Sequence, residues 1–305
     1  MKSTLKQIAI IGPTASGKSS LAIELAQEYG AAILSLDSLS VYREIDIASA
    51  KPTPEERGDI PHYGIDLLDP DEKFDVMKFL ELYGEVRGRC EREGRPLIVT
   101  GGSSFYLKIL MEGISPMPRA GAASVAATAQ LMGDLAAAYA KLSEIDPLYA
   151  AKISENDRYR IEKALLIFFE TSLPPTLYFE KNPPISIVGD ELPVFEIEIE
   201  RAALRERIAL RTEKMFADGL VDEVCGLEYR YGRAPNCMKA IGIREVLSYL
   251  DGALGYEETR EKIVVNTARL AKRQSTFNRS QFPGRTSAPK ERLKESIAPL
   301  LDSAR

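Results

Sequence analysis

Tryptophan is absent from the 305-residue chain, histidine occurs once, as His62, and cysteine three times, at Cys90, Cys225 and Cys237. Each scarcity excludes something. A single histidine rules out a multi-histidine metal site. Three cysteines, odd in number and without a C-x-x-C pair, argue against a disulfide framework or a zinc site, and a reducing cytosol is the setting they predict. No run approaches the ~18 apolar residues of a membrane helix, and the apolar run Ile8–Ile11 is too short for a signal-peptide core. Internal repeats and low-complexity tails are missing as well.

What is present is ordinary for a globular protein: 45% hydrophobic and 28% charged residues. The length suffices for one large or two modest domains. The net charge of −5 is unevenly spread. From Arg201 onward there are 20 Lys and Arg against 14 Asp and Glu, or +6; the first 200 residues carry 20 against 31, or −11. A basic C-terminal third on an acidic body can mark a nucleic-acid face, and equally a solvated helical surface.

Gly12–Ser20 reads GPTASGKSS, directly after the apolar run Gln7–Ile11, and so has the spacing G-x-x-x-x-G-K-[ST]. Lys18–Tyr29 then repeats apolar residues at helical spacing. Strand, glycine-rich loop and helix are the context that a phosphate-binding loop requires. In Gly12, Pro13, Thr14, Ala15, Ser16, Gly17, Lys18 and Ser19, backbone N–H groups and the helix N-terminus offer positive partial charge to phosphate oxygens. Lys18 adds a full charge, and the Ser19 hydroxyl can ligate Mg²⁺. A nucleotide split for energy, a nucleotide donating a phosphoryl group and a diphosphate that merely leaves all fit such a loop.

Ala31–Leu36 predicts a second buried strand ending on Asp37-Ser38, and Pro96–Thr100 another, running into Gly101-Gly102-Ser103. A long amphipathic helix, Phe74–Glu93, separates them. The alternation predicts a parallel α/β sheet whose ligands sit at the carboxyl ends of its strands, where all these loops converge. The strand Pro96–Thr100 ends without the carboxylate that an ATP-hydrolysing loop uses to hold its metal. Asp37 is left as metal ligand, general base or simple turn cap. His62, in PHYG, reads as a packed histidine.

After Met117-Pro118 the pattern changes. Ala120–Leu142 and Asp157–Glu170 read as helices and Leu173–Pro184 as loop, so that 118–192 forms a helical insertion. Val194–Glu200 alternates apolar and acidic residues like a half-exposed strand, and Ala202–Arg230, Ile243–Leu250 and Tyr256–Arg279 are helical. On the last of these, Arg269, Lys272 and Arg273 share one face, which suits phosphate contacts; Gln274 and Phe277 beside them allow base hydrogen bonding and stacking.

Taken together, the stretches GPTASGKSS, LDSLSVY (Leu36–Tyr42), DIASAKP (Asp46–Pro52), GGSSFYLKILMEGISPMP (Gly101–Pro118), NDRYRIEKAL (Asn156–Leu165), KAIGIRE (Lys239–Glu245) and LAKRQSTFNR (Leu270–Arg279) resemble, in order, the tRNA dimethylallyltransferase family. The resemblance implies a P-loop NTPase-like α/β core over 1–117 and 193–305, interrupted by the insertion and ending in helices that bind tRNA. It implies transfer of a dimethylallyl group from its diphosphate to the exocyclic amine of an adenine beside the anticodon. The loop would then hold a leaving diphosphate with Mg²⁺ on Ser19, Asp37 would be the base, and Lys18 and Arg244 would neutralise the departing charge. Asp37, Ser38, Leu39, Ser40, Ser103, the run Tyr159, Arg160, Ile161, Glu162, Lys163 and the run Lys239, Ala240, Ile241, Gly242, Ile243, Arg244 match the family's tRNA contacts. The implied partners are the tRNA anticodon stem-loop and dimethylallyl diphosphate, with no membrane, for a monomer in the cytoplasm.

The sequence departs from the family in two places. Ser40 stands where members often carry Gln, and 120–140 contains neither Lys nor Arg. Three rival readings are a small-molecule P-loop kinase, an isopentenyltransferase of free adenine nucleotides and a non-catalytic RNA-binding module. The first leaves the basic C-terminal helix without a purpose, the second needs no insertion, and the third makes Asp37 a cap.

Overall fold

Gln7–Ile11, Ala32–Ser35, Leu97–Thr100 and Val194–Ile197 are dominated by apolar residues on both sides of the pleat, and such runs are stable only when both faces are covered. In the computed structural model, which describes residues 5–188 and 192–302, they form the middle of one sheet. Residues 1–4 and 303–305, at the outer ends of the expected core, and 189–191, near the expected end of the insertion, lie outside the described residues. The strands are β1 (Gln7–Ile11), β2 (Ala32–Ser35), β3 (His62–Tyr63), β4 (Leu97–Thr100), β5 (Val194–Ile197) and β6 (Thr286–Ala288). Their order is β3-β2-β4-β1-β5-β6, and every pairing is parallel.

The period of two sorts the side chains. Ala9, Ile11, Leu34 and Val99 face a core completed by Phe79, Tyr83, Val86 and Cys90 of the helix Val76–Glu93. Ile8, Ile10, Ile33, Ile98, Phe195 and Ile197 face the other, completed by Leu21 and Leu25 of the helix Lys18–Tyr29 and by Leu293, Ile297 and Leu301 of the helix Lys290–Leu301. A third cluster packs Val41, Tyr42 and Ile45 against Met215, Leu220, Val224, Val246 and Ile263, holding the loop after Asp37 to the C-terminal helices.

The chain divides into two compact units, Met1–Met111 with Val188–Arg305, and Glu112–Ile187. The second is helical. Its core joins Met132, Ala138, Leu142, Ile161, Ala164 and Leu165.

Several elements differ from the sequence reading. Ala120–Leu142 is two helices, Ala122–Leu131 and Leu135–Ile145, because Asp134 caps the second by accepting the N–H groups of Ala136 and Ala137. Ala202–Arg230 is likewise broken into Arg201–Ala217 and Leu220–Tyr231 at Gly219, whose φ is 99°. Within the expected loop Leu173–Pro184 lies the helix Pro175–Lys181, which opens on a proline at its first position. The strand β5 is fully buried rather than half-exposed. Glu196 is inside because Asn278 Nδ2 donates to its Oε1 at 2.8 Å and Arg285 Nε to its Oε2.

Candidate active site

The chain leaves β1 through Gly12 and enters the helix Lys18–Tyr29 through a tight loop in which Ala15 and Gly17 have φ of 63° and 99°. The left-handed turn at Gly17, the residue that caps the helix, is one that glycine adopts at no steric cost. Lys18 is buried, and its Nζ donates to the Pro13 carbonyl at 2.8 Å. Burial lowers its pKa from 10.5 to about 8; the Asp37 charge pulls the other way and the Arg211 charge adds to the lowering. The Ser16 hydroxyl is buried without a hydrogen-bond partner among the described residues.

Asp37 is set by backbone. The Leu36 N–H donates to Thr100 O at 2.7 Å, and the Ser103 N–H to Leu36 O at 2.9 Å. Gly101 permits that approach, since a Cβ there would stand 2.2 Å from Leu36 O. The Asp37 Oδ1 accepts the N–H groups of Leu39 and Ser40 at 2.8 and 3.3 Å. Its Oδ2 makes no hydrogen bond among the described residues and is left for other work.

Lys18, Ser19 and Asp37 line one cavity of about 620 Å³, shared with Ser38, Leu39, Ser40 and Ser103. The strand β4 closes it with Thr100, whose hydroxyl donates to Ile10 O at 3.1 Å, where a hydrolysing loop would want an acid. No group of three or more His, Cys, Asp and Glu able to hold a metal occurs among the described residues.

Two arginines that the sequence reading passed over reach this loop. On the helix Arg201–Ala217, Arg207 Nη1 donates to Ser16 O and Arg211 Nη1 to Thr14 Oγ1, each at 3.2 Å, and both residues line the cavity. Burial lowers the pKa of Arg211, and Asp37 opposes the shift. Their i, i+4 spacing in RERIALR was the available signal.

The chain matches the IPP transferase family over residues 40–281 and the isopentenyl transferase family over residues 5–63. It is 55% identical over 282 residues to a tRNA dimethylallyltransferase of Sulfurovum sp., covering 92% of this chain and 94% of that one. The tRNA dimethylallyltransferase of Nautilia profundicola is 52% identical over 291 residues, with 95% and 98% covered. The chain belongs to the tRNA dimethylallyltransferase family. Among solved structures, the full-length tRNA isopentenylpyrophosphate transferase of Bacillus halodurans is similar at 31% identity and a TM-score of 0.72, over 98% of this chain and 97% of that one. The parallel P-loop-like α/β fold is thus the fold of the family.

Within this family member, the sequence-predicted residues fall in several places. Thr14, Ala15, Gly17, Lys18 and Ser19 line the cavity, whereas Gly12, Pro13 and Ser16 are buried and do not line it. Of Lys239–Arg244, Ala240 and Ile241 line it. Arg244 is turned elsewhere: its guanidinium is exposed and pairs at 2.8 Å with Glu245, a buried carboxylate that also accepts from Gly242 N–H and Asn266 Nδ2. Ile161 and Ile243 were expected at tRNA contacts, but both are wholly buried, because helical periodicity turns them into their cores. Tyr159 and Arg160 are exposed on the helix Arg158–Thr171, with Lys163 Nζ 5.7 Å from the Tyr159 ring centroid and Glu162 half-buried. Lys239, Lys272 and Arg273 are exposed. Gln274 lines the cavity and bonds to its walls.

Other residues shape the cavity's edge. Glu223 accepts the N–H groups of Asp46, Ile47 and Ala48 at 2.9, 2.7 and 2.9 Å. Lys51, which lines the cavity, donates to Tyr42 O at 3.0 Å and pairs with Asp46 and Asp66. His62, on β3, donates from Nδ1 to Ile60 O at 2.9 Å, and burial lowers its pKa. No helix of the described residues is long and apolar enough to cross a membrane.

Proposed function

We propose that the protein transfers the dimethylallyl group of dimethylallyl diphosphate to the exocyclic N6 amine of the adenosine 3′-adjacent to the anticodon in tRNA, releasing pyrophosphate. The observation that carries this reading is the single cavity in which the phosphate-binding loop meets Asp37, in a member of a family whose relatives bear that name. The loop Gly12–Ser19 holds the diphosphate. Lys18 balances its charge, a task shared in this reading by Arg207 and Arg211, whose guanidinium groups donate to the loop, rather than by Arg244. Fixed cations there favour the state in which negative charge grows on the leaving oxygen. As the allylic C–O bond breaks and the C–N bond forms, Asp37 Oδ2 takes the proton that the amine loses. Oδ1, bound to Leu39 and Ser40, keeps the carboxylate aimed.

Mg²⁺ fits these residues. The Ser19 hydroxyl is an exposed hard oxygen on the cavity wall, and a cation that keeps waters and takes phosphate oxygens needs few protein ligands. It would neutralise part of the diphosphate charge.

The adenine enters only by leaving its stack, at a cost of a few kcal/mol. Ser38, Leu39, Ser40, Ser103, Ala240 and Ile241 line the cavity that it would enter, and Lys239, Arg244, Lys272 and Arg273 are exposed for the rest of the anticodon stem-loop. In the second unit, taken by itself, Tyr159 and Arg160 are exposed and Lys163 is half-buried, and these are assigned to RNA as well. The segment 118–192 acts as an insertion, with a weak hold on RNA along 120–140. The protein works in the cytoplasm as a monomer.

Incubation with labelled dimethylallyl diphosphate, Mg²⁺ and bulk tRNA, without ATP, tests the reading. Label should appear on adenosine in the RNA. Label in no RNA, or a strict requirement for ATP, would overturn it.

A further inference from the structure

The helices Arg201–Ala217 and Tyr256–Gln281 pack together, and a second cavity, of about 1010 Å³, opens along them beside Pro13. Arg201 and Arg205 line it from one helix, and Arg269, Lys272 and Arg279 from the other; all five are exposed. None of the five forms an ion pair among the described residues. Surface arginines elsewhere, such as Arg87, Arg89 and Arg233, have carboxylate partners. The acidic groups of the groove do not balance them. Glu196 is buried and already paired with Arg285, which leaves Glu198 and Glu200 against five cations.

We infer that this groove takes the phosphodiester backbone of the RNA substrate, with Arg201 and Arg205 as a second wall facing Arg269, Lys272 and Arg279. The inference rests on the proposed tRNA substrate and extends it to residues outside the basic run that the sequence suggested. Arg273, from that run, lines neither cavity. The extent of the row selects a polymer over a small diphosphate. Arg269 to Arg279 span ten helical positions, about 15 Å at ~1.5 Å each. A nucleic-acid strand repeats its phosphates along such a length, whereas a diphosphate offers only two adjacent ones. Each phosphate neutralised releases counterions, which makes the binding constant fall with salt in proportion to the contacts made.

The test compares the wild-type protein with the double variants Arg201→Ala/Arg205→Ala and Arg201→Lys/Arg205→Lys. Affinity for tRNA is measured from about 50 to about 300 mM KCl, and affinity for pyrophosphate with Mg²⁺ by calorimetry. With Ala, the slope of log K against log salt should flatten by about 1.4–1.8, the amount two lost phosphate contacts predict, and tRNA affinity at about 150 mM should fall about tenfold or more. The Lys pair should keep the wild-type slope, and pyrophosphate affinity should stay within about twofold. An Ala slope within about 0.3 of wild type, a Lys pair that behaves like Ala, or a loss confined to pyrophosphate would each overturn the inference. If the wild type still modifies tRNA in that case, the groove alone is wrong. A wild type that neither binds nor modifies tRNA sinks the proposed function and the groove with it.

Discussion

Gln274 and Thr14, far apart in sequence, are joined by one hydrogen bond: the Gln274 Oε1 accepts the Thr14 N–H at 2.8 Å. The same amide donates from Nε2 to Gly102 O at 3.1 Å, so one side chain braces the phosphate-binding loop against the loop after β4. Gln274→Glu would remove that donor and add a negative charge beside the loop, worth about 4 kcal/mol at 4 Å for an intermediate dielectric and less once water relaxes around it. Pyrophosphate affinity should fall about tenfold or more while the melting temperature shifts by only a few degrees. Calorimetry showing wild-type affinity would mean that the bridge is structural and away from the ligand.

Asp37 has separable jobs, since Oδ1 caps the turn and Oδ2 is free. Asp37→Asn keeps an oxygen for the Leu39 and Ser40 N–H groups but cannot take a proton. Its single-turnover rate should drop by about 10²-fold or more, the usual scale for a general base, with stability nearly intact. Asp37→Ala should lose the same rate and also about 1 kcal/mol of stability with its cap. Rates for Asn within about threefold of wild type would remove Asp37 as the base.

Lys18, held near pKa 8 by burial, is charged below that pH and loses its proton as the pH rises through it. Only the charged form attracts a diphosphate. Lys18→Arg stays charged throughout, and taking the ratio of the two dissociation constants cancels the ligand's own titration. That ratio should be flat from about pH 6 to about pH 7.5, then move against the wild type by up to about tenfold per pH unit above pH 8. A ratio that stays flat to about pH 9.5 would show that the Lys18 charge is not what holds the ligand.

Arg211 and Arg244 should behave differently. Arg211→Ala removes a donor that reaches Thr14 in the loop, and pyrophosphate affinity should weaken about tenfold or more. Arg244→Ala instead leaves the buried Glu245 with one partner fewer, lowering stability by about 1–2 kcal/mol once the exposure of the arginine is allowed for. Its pyrophosphate affinity should stay within about threefold of wild type. Equal losses in both variants would return Arg244 to the diphosphate.

The loop Gly12–Ser19 and Asp37 were legible because their roles are local: a strand must end, glycine must turn, and an acid at a strand end faces the ligand edge. Arg207 and Arg211 were not, because an arginine pair on a helix reads as solvated surface until the fold carries that helix to the loop. Glu196 misled for the same reason. Alternation of apolar and acidic residues predicts one wet face, and only Arg285 and Asn278, both more than eighty positions away, make the carboxylate an interior group. The helix breaks at Asp134 and Gly219 did carry local signals, a cap and a left-handed turn, that the strong helical propensity around them obscured. The helix Lys290–Leu301 was missed despite Leu293, Ile297 and Leu301 at regular spacing.

The placement of β1 between β4 and β5 has a consequence for the chain as it leaves the ribosome. One edge of β1 can pair once Leu97–Thr100 has emerged, but the other waits for Val194–Ile197. The roughly ninety residues between them take about 5–20 seconds to synthesise at ordinary rates. Throughout that interval the nascent chain holds an unpaired, largely apolar strand at the edge of its half-built sheet, an open template for another chain. Chaperones would therefore find their target in Gln7–Ile11, and crowding of translating ribosomes would endanger this protein before its active site exists.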